Sequence, residues 1–522
     1  MQLGRLLNRR IFSRFVRGQY SRLIREACKS MNPDSEKEAL SEASDILISL
    51  SQEEPEFIKI VLTMVEILDQ SDPLSSAFLC HILELAALPS MKTVLKVNTN
   101  LLSKVHSNSF FLPKLKQRYR LNACVVWCVL AERLAGEASA CMFTDQVLKT
   151  LLGGLQQNQP WRTQLLSLIA LEKFALTGEN KVKILNSDAL NLIRSLAQAS
   201  DTRDSHQLSE LKLCAPWALK CSFSPSPSSN LFKEEFEVKA LDNINVTLNW
   251  CDATSRLKWS PTGLETRNDS TSFESVRGTM CVTKGCWYYE VHIITAGIMQ
   301  IGWATKYSLF RPEEGVGVGD DDHSFAFDGC RKLAWSSGYP ISYGKGDSWS
   351  EGDVLGVHLD MEYGVIRFYL NGDDLGIAFE FTGHQLAHFV HNEGGFYPAL
   401  SLTSFQHVAL NFGQHPFKYP PAQTHHNFGQ EGKLPENLRL QSVYSRLCML
   451  DMPNLDGAKI TAELICTICC DGEATIKLDP CGHTGFCSRC VLLFENCPLC
   501  RAPIHQRAAT IHDNHLAQII DT

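Results

Sequence analysis

The chain has 522 residues, 44% of them hydrophobic and 20% charged, with a formal net charge of -8, and that length accommodates about three domains of ordinary size. The acidic balance argues against a dedicated nucleic-acid surface, where Lys and Arg would cluster to meet phosphate. No apolar run approaches the ~18 residues of a membrane span, and the opening stretch, interrupted by Arg5, Arg9, Arg10, Arg14, Arg17, Arg22 and Arg25, does not read as a signal peptide.

In that stretch Leu3, Leu6, Leu7, Ile11, Phe15 and Leu23 recur at near-helical spacing between the arginines. A first packing helix is the expectation; a membrane-surface helix and a transit-like segment are the other readings of such a pattern. Helical patterns then follow one another over Glu36–Leu50, Glu56–Asp69, Leu74–Leu88, Met91–Val105, Leu115–Gly136, Phe143–Leu155, Pro160–Thr177 and Lys181–Ala199. Apolar positions recur three and four apart, as in Phe57, Ile58, Val61, Leu62, Val65 and Leu68, and Pro55, Asp72-Pro73, Pro89, Pro113 and Gly178 mark the breaks. Successive helices with no strand between them predict an all-α region over residues 1–199. Trp161 to Leu196 resembles an armadillo-type repeat. With no metal cluster, phosphate loop or nucleophile beside a base, the region reads as a scaffold. Residues 200–230 end in Ser222-Phe-Ser-Pro-Ser-Pro-Ser-Ser229 and read as a linker.

Past Phe232 the period changes to strand-like alternation. Short apolar runs between Gly, Asp and Asn predict a β-sandwich over residues 231–421. The clearest hairpin is Gly364 to Leu370, then Asn371-Gly372, then Leu375 to Phe381, because Asn-Gly supplies the positive φ values of a tight turn. The runs Gly285-Cys-Trp-Tyr-Tyr-Glu290, Gln300-Ile-Gly-Trp303, His323 to Gly329, Gly352 to Gly356, Ile366 to Gly372, Phe396 to Leu400 and Asn411-Phe-Gly413, in this order, resemble the SPRY domain. The resemblance implies a non-enzymatic sandwich that binds a protein or peptide substrate through loops at one end. Tyr339, Tyr343 and Trp349, in a Gly- and Ser-rich stretch, are the candidate anchors, since interface hot spots favour Tyr and Trp. Gly315-Val-Gly-Val-Gly-Asp-Asp-Asp322 lacks the Lys-Ser/Thr of a phosphate loop and the ligand alternation of a calcium loop, so it is expected to be a solvated loop.

A polar connection over residues 422–460, with a short helix expected near Glu436 to Leu450, leads to the last module, residues 461–505, and a tail of 506–522. That module runs Cys466-Thr-Ile-Cys469, eleven residues, Cys481-Gly-His483, three residues, Cys487-Ser-Arg-Cys490, six residues, Cys497-Pro-Leu-Cys500. Seven thiols and one imidazole in close pairs are the arithmetic of two closed tetrahedral zinc sites. So short a segment cannot bury enough apolar surface to fold unaided. Spacing alone permits either sequential or crossed pairs.

The spacing resembles the C3HC4 RING finger, and the resemblance implies crossed ligation. Cys466, Cys469, Cys487 and Cys490 would hold one zinc; Cys481, His483, Cys497 and Cys500 the other. It also implies a docking groove for a ubiquitin-conjugating enzyme made by Ile468, Phe494 and Pro498. Arg501 would be the basic linchpin bridging that enzyme and ubiquitin, a role suited to a planar fork of donors.

Of the 20 cysteines, seven fall to zinc, and Cys80, Cys124, Cys128 and Cys141 lie in helical segments. Thiolates and free thiols together point to a reducing compartment, the cytoplasm, with the nucleus also open. Secretion is the alternative, and the sequons at Asn245 and Asn268 would matter only there. The whole arrangement resembles the RING finger and SPRY domain-containing proteins. It implies an E3 ubiquitin-protein ligase whose RING recruits the charged conjugating enzyme and whose SPRY domain selects the protein substrate. A non-catalytic zinc-containing adaptor is the alternative.

Overall fold

The structure, a computed structural model, describes residues 20–28, 37–107, 112–201, 209–223, 241, 244–435, 438, 476–479, 485–487, 490–494, 504 and 506–509. It divides into two compact units, Met1–Leu440 and Gln441–Thr522.

Helices open the first unit: α1 (20–28), then α2 (Lys37–Ser51), α3 (Glu54–Ile67), α4 (Pro73–Leu85), α5 (Met91–Val105), α6 (Pro113–Arg133), α7 (Glu137–Met142), α8 (Asp145–Gly154), α9 (Trp161–Phe174), α10 (Gly178–Leu185), α11 (Ala189–Asp201) and α12 (Ser209–Trp217). Their starts follow local chemistry. Asp72 accepts from Leu74 N ahead of Pro73, Ser90 from Thr93 N, and Thr144 from Val147 N, each satisfying a donor the first helical turn leaves free. Helix α6 forms the centre, buried without interruption from Leu121 to Ala131. Its Asn122 is tied by Nδ2 to the carbonyls of Val65 and Leu68, at 3.0 and 2.8 Å.

Two details depart from the expected helices. The stretch Lys181–Ala199 is two helices, α10 and α11, because Ser187 turns the chain, its hydroxyl accepting from Ala189 N at 3.2 Å. Within the stretch read as linker, α12 forms because Leu211, Cys214 and Ala215 bury one face at helical spacing.

Strands follow: β1 (Leu257–Trp259), β2 (Glu265–Asn268), β3 (Glu274–Arg277), β4 (Cys286–Ile293), β5 (Met299–Ala304), β6 (Ser324–Asp328), β7 (Leu333–Ser336), β8 (Tyr339–Ser342), β9 (Val354–Asp360), β10 (Val365–Leu370), β11 (Asp373–Glu380), β12 (Tyr397–Leu402), β13 (Gln406–Asn411) and β14 (His426–Asn427). Short helices α13 (Gly383–His391) and α14 (Phe428–Glu431) lie among them. One sheet has the order β1-β2-β13-β4-β9-β10-β11, with β14 beside β4; the other has β3-β12-β5-β6-β7-β8. They form the expected β-sandwich. The Asn371-Gly372 hairpin turns as its residues demand, with φ of 53° and 92°.

Between the sheets Tyr289 packs edge-on to Trp303 and donates its hydroxyl to Gly302 O at 2.6 Å. Gly302 is a sharp test of this packing, because a Cβ there would sit 2.0 Å from Phe325 O on the neighbouring strand. Backbone cannot give way as a side-chain tip does. Gly302→Ala is therefore expected to destabilise the unit by about 1–3 kcal/mol, read as a lowered urea midpoint; an unchanged midpoint would contradict the strand spacing.

Candidate functional site

In the second unit β15 (Ile476–Asp479) pairs antiparallel with β16 (Gln506–Ala509). Leu478, Phe486 and Val491 make a small buried cluster with Ile476 and Ile504 against it. Cys487 and Cys490 are both buried, and Cys490 N points at Cys487 Sγ, 3.4 Å away, at the start of a 3-10 turn over Cys490–Leu493. A backbone N–H directed at sulfur stabilises a thiolate, so this pair suits a soft metal such as zinc. Phe494 packs against the same two cysteines, while Leu492 is 74% exposed. Arg507, which the sequence left in a featureless tail, donates Nε to Val491 O at 3.1 Å and Nη2 to Phe494 O at 2.6 Å. Cys466, Ile468, Cys469, Cys481, His483, Cys497, Pro498, Cys500 and Arg501 lie outside the described residues, as does most of the helix expected near Glu436 to Leu450.

The sandwich candidates separate by environment. Tyr339 is 77% exposed at the start of β8, an outer strand of its sheet. Tyr343 is half-buried against Phe327 and donates its hydroxyl to Gly376 O at 2.7 Å. Trp349 is 2% exposed, and its Nε1 lies 3.2 Å from Ala296 O and 3.3 Å from Gly297 O. Only Tyr339 of the three stands free of the protein's own interior. Two acids of the Gly315–Asp322 loop are taken up by hydrogen bonds: Asp320 accepts from Gly317 N inside the loop, and Asp321 from Leu309 N, Ser308 Oγ, His323 N and Ser324 Oγ beyond it.

The SPRY domain family matches residues 286–415, and the C3HC4-type zinc finger (RING finger) family matches residues 462–507. The chain carries a SPRY domain and a C3HC4 RING finger. Among curated proteins, it is 44% identical over 149 residues to the E3 ubiquitin-protein ligase RKP of Arabidopsis thaliana. That match takes in 28% of this chain but spans only 11% of the plant protein's length. Similar solved structures include the SPRY domain of human HERC1, at 16% identity and a TM-score of 0.27, covering 32% of this chain and 99% of that one. The TRIM65 PSpry domain is similar at 18% identity and a TM-score of 0.26, covering 36% of this chain and 99% of that one.

Sequence reading missed where the sandwich bearing the SPRY domain meets the helices. Lys258 on β1 lies opposite Arg267 on β2. Lys258 Nζ is 2.5 Å from Glu172 Oε2 of α9 and 2.8 Å from Asp269 Oδ2. The Arg267 fork reaches two acids, Asp269 through Nε at 2.7 Å and Glu210 of α12 through Nη1. Nearby, Arg256 Nη1 and Lys173 Nζ share Glu132 of α6, at 2.9 and 2.8 Å. Lys258, Arg267, Asp269, Glu172 and Glu210 are all buried. Burial alone would push the Asp269 carboxyl up; Arg267 and Lys258 more than reverse it and hold it well below the carboxylate range. Burial likewise lowers Lys258, and Asp269 and Glu172 outweigh it, leaving the ammonium above its ordinary value.

Phe405, between β12 and β13, belongs to the core of the helical region. Buried thiols at the seam are inert: burial pushes Cys80 and Cys214 up to about 12, far from the thiolate a nucleophile needs. Cys124 is also raised by burial, to about 11, and Cys128 is raised well above its ordinary value by burial; Cys141 is exposed. Among the described residues, no helix is long and apolar enough to cross a membrane. Asn268 is buried, its Nδ2 donating to Ser272 O and Leu402 O, so that sequon does not present its amide in the folded chain, while half-buried Asn245 donates Nδ2 to Gly429 O.

Proposed function

We propose that the chain is an E3 ubiquitin-protein ligase in which the RING finger recruits a ubiquitin-charged conjugating enzyme and the SPRY domain binds the protein substrate. The observation that carries this reading is the pairing of a C3HC4 RING finger with a SPRY domain in one chain; the partial relative named as a ligase supports it. Zinc, two ions per chain, supplies cross-links in place of a core, held by Cys466, Cys469, Cys487 and Cys490 and by Cys481, His483, Cys497 and Cys500. Phe494, packed on the Cys487–Cys490 pair, contributes with Ile468 and Pro498 to the apolar notch that docks the conjugating enzyme. Arg501 bridges that enzyme and ubiquitin.

The chemistry is positional. A neutral substrate lysine amine attacks the thioester carbonyl, the C–S bond breaks as the isopeptide C–N bond forms, and the amine's proton ends on the conjugating enzyme's departing thiol; no covalent bond to this chain arises. Holding the thioester in a near-attack arrangement lowers the barrier by orientation. Tyr339 is the SPRY side chain offered to substrate, the Tyr343 and Trp349 rings supporting the loops behind it. The helical region, armadillo-like around α9 to α11, is the scaffold, and the cytoplasm is the compartment that suits this chemistry.

Ile468→Ala and Arg501→Ala are each expected to lower ubiquitin-chain formation in a purified system at least tenfold while zinc content stays at the wild-type value. Undiminished chain formation in both variants would sink the mechanism, and a wild-type chain that binds none of a broad panel of conjugating enzymes would favour an adaptor.

A further inference from the structure

Both ends of the Cys490–Leu493 turn are tied to other parts of the unit. At its start Cys490 N points at Cys487 Sγ, and Val491 N donates to Cys487 O at 3.2 Å, so the zinc-type pair fixes the first residues. The last carbonyls of so short a turn have no partner further along it. Arg507 meets them there, one planar fork donating to Val491 O and to Phe494 O. Arg507 stands on β16 opposite Leu478 of β15, and Leu478 shares a buried cluster with Val491. The guanidinium therefore locks the turn to the hairpin that packs on the same small core.

Between these two ties the side chains are sorted. Val491 goes inward, half-buried Phe494 lies on the two cysteines, and Leu492 is held out to solvent. An exposed leucine is ordinary by itself; this one is on the turn that leads into Phe494, which the ligase reading gives to the conjugating enzyme. Arg507 is exposed, and hydrogen bonds at a surface add little to stability beside bound zinc. What the fork governs is where the turn sits, and a shift of about 1 Å in a positioning element can cost roughly a hundredfold in rate. We propose that Arg507 is a positioning residue for ubiquitin transfer, setting the turn so that Leu492 and Phe494 are presented together to the conjugating enzyme. The inference rests on the ligase reading and adds Leu492 to the docking notch.

The test uses the full chain at a fixed low concentration, with its zinc content measured. Discharge of ubiquitin to free lysine is followed at rising concentrations of charged conjugating enzyme, which separates KM from kcat. Arg507→Ala and Leu492→Ala should each raise KM roughly fivefold or more, with kcat and zinc content near the wild-type values. Arg507→Lys should match Arg507→Ala, because a point ammonium does not reproduce the fork; a wild-type KM in Arg507→Lys would make charge the cause and overturns the proposal. So does a fall in kcat with KM unchanged, which is the mark of lost folded chain. A wild-type KM in Arg507→Ala or Leu492→Ala, with Ile468→Ala impaired, overturns this inference alone. A wild-type chain that discharges none of a broad panel of conjugating enzymes overturns it together with the ligase reading. Should Arg507→Ala lose its zinc, Arg507→Lys decides, and zinc loss in both overturns the positioning role.

Discussion

Arg267→Ala is expected to cost the helical and SPRY unit about 3–5 kcal/mol, the range for breaking one partner out of a buried ion pair. The guanidinium is 1% exposed and joins Asp269 to Glu210. Without it two buried carboxylates lose their shared cation. Arg267→Lys should recover little, because a point ammonium cannot reach two acids as a planar fork does. The pH dependence carries a sign. In the wild-type chain Asp269 is held below its ordinary value, so its stabilisation is present above roughly pH 4 and is lost as pH falls through the lower folded value. Lys258 is held above its ordinary value, so its share is present below roughly pH 10 and is lost as pH rises through the higher folded one. Wild-type stability from this cluster should thus be flat between roughly pH 5 and 9. In Arg267→Ala, Asp269 loses one of the cations that hold its carboxyl down, so the deficit should shrink from pH 7.5 to pH 5. Chemical denaturation at the two values measures this, and a deficit below about 1 kcal/mol at both would mean the cluster is not closed as described.

Removing zinc has the other large effect. Structural zinc contributes about 10–16 kcal/mol per site in small zinc peptides, whereas the apolar cluster of this unit comprises Leu478, Phe486 and Val491 with two half-buried isoleucines among the described residues. A chelator, or Cys490→Ala, is therefore expected to unfold the RING finger and abolish chain formation. The helical and SPRY unit has its own core and should keep its melting transition. Elemental analysis of the intact chain should return two zincs. One zinc, or chain formation that survives Cys490→Ala undiminished, would contradict the assignment of Cys490.

Much of this protein lies in short-range pattern. Helical periodicity around Asp72-Pro73 and Ser90, strand alternation broken by Asn371-Gly372, and the spacing of eight zinc-type ligands are all written within a few residues of one another. Such signals need only local sterics and metal preference, so the helical region, the sandwich and the C3HC4 spacing are legible without coordinates. Local pattern fails where exposure depends on distant chain. Tyr339, Tyr343 and Trp349 look alike in sequence, yet one faces solvent and one closes the core, because Ala296 and Gly297 come back to meet the Trp349 indole. Arg507 resembles any tail arginine until the carbonyls of Val491 and Phe494 come to it.

The seam is the clearest case. Lys258 and Glu172 stand 86 positions apart, and Arg267 and Glu210 stand 57 apart, with no spacing rule connecting them. Sequence determined which segments form helix, strand and metal knuckle, because those choices are settled by neighbours along the chain. Which charges would be taken out of water together was decided only when two separately legible parts closed on each other, since desolvation belongs to a place in space and leaves no mark on any one segment.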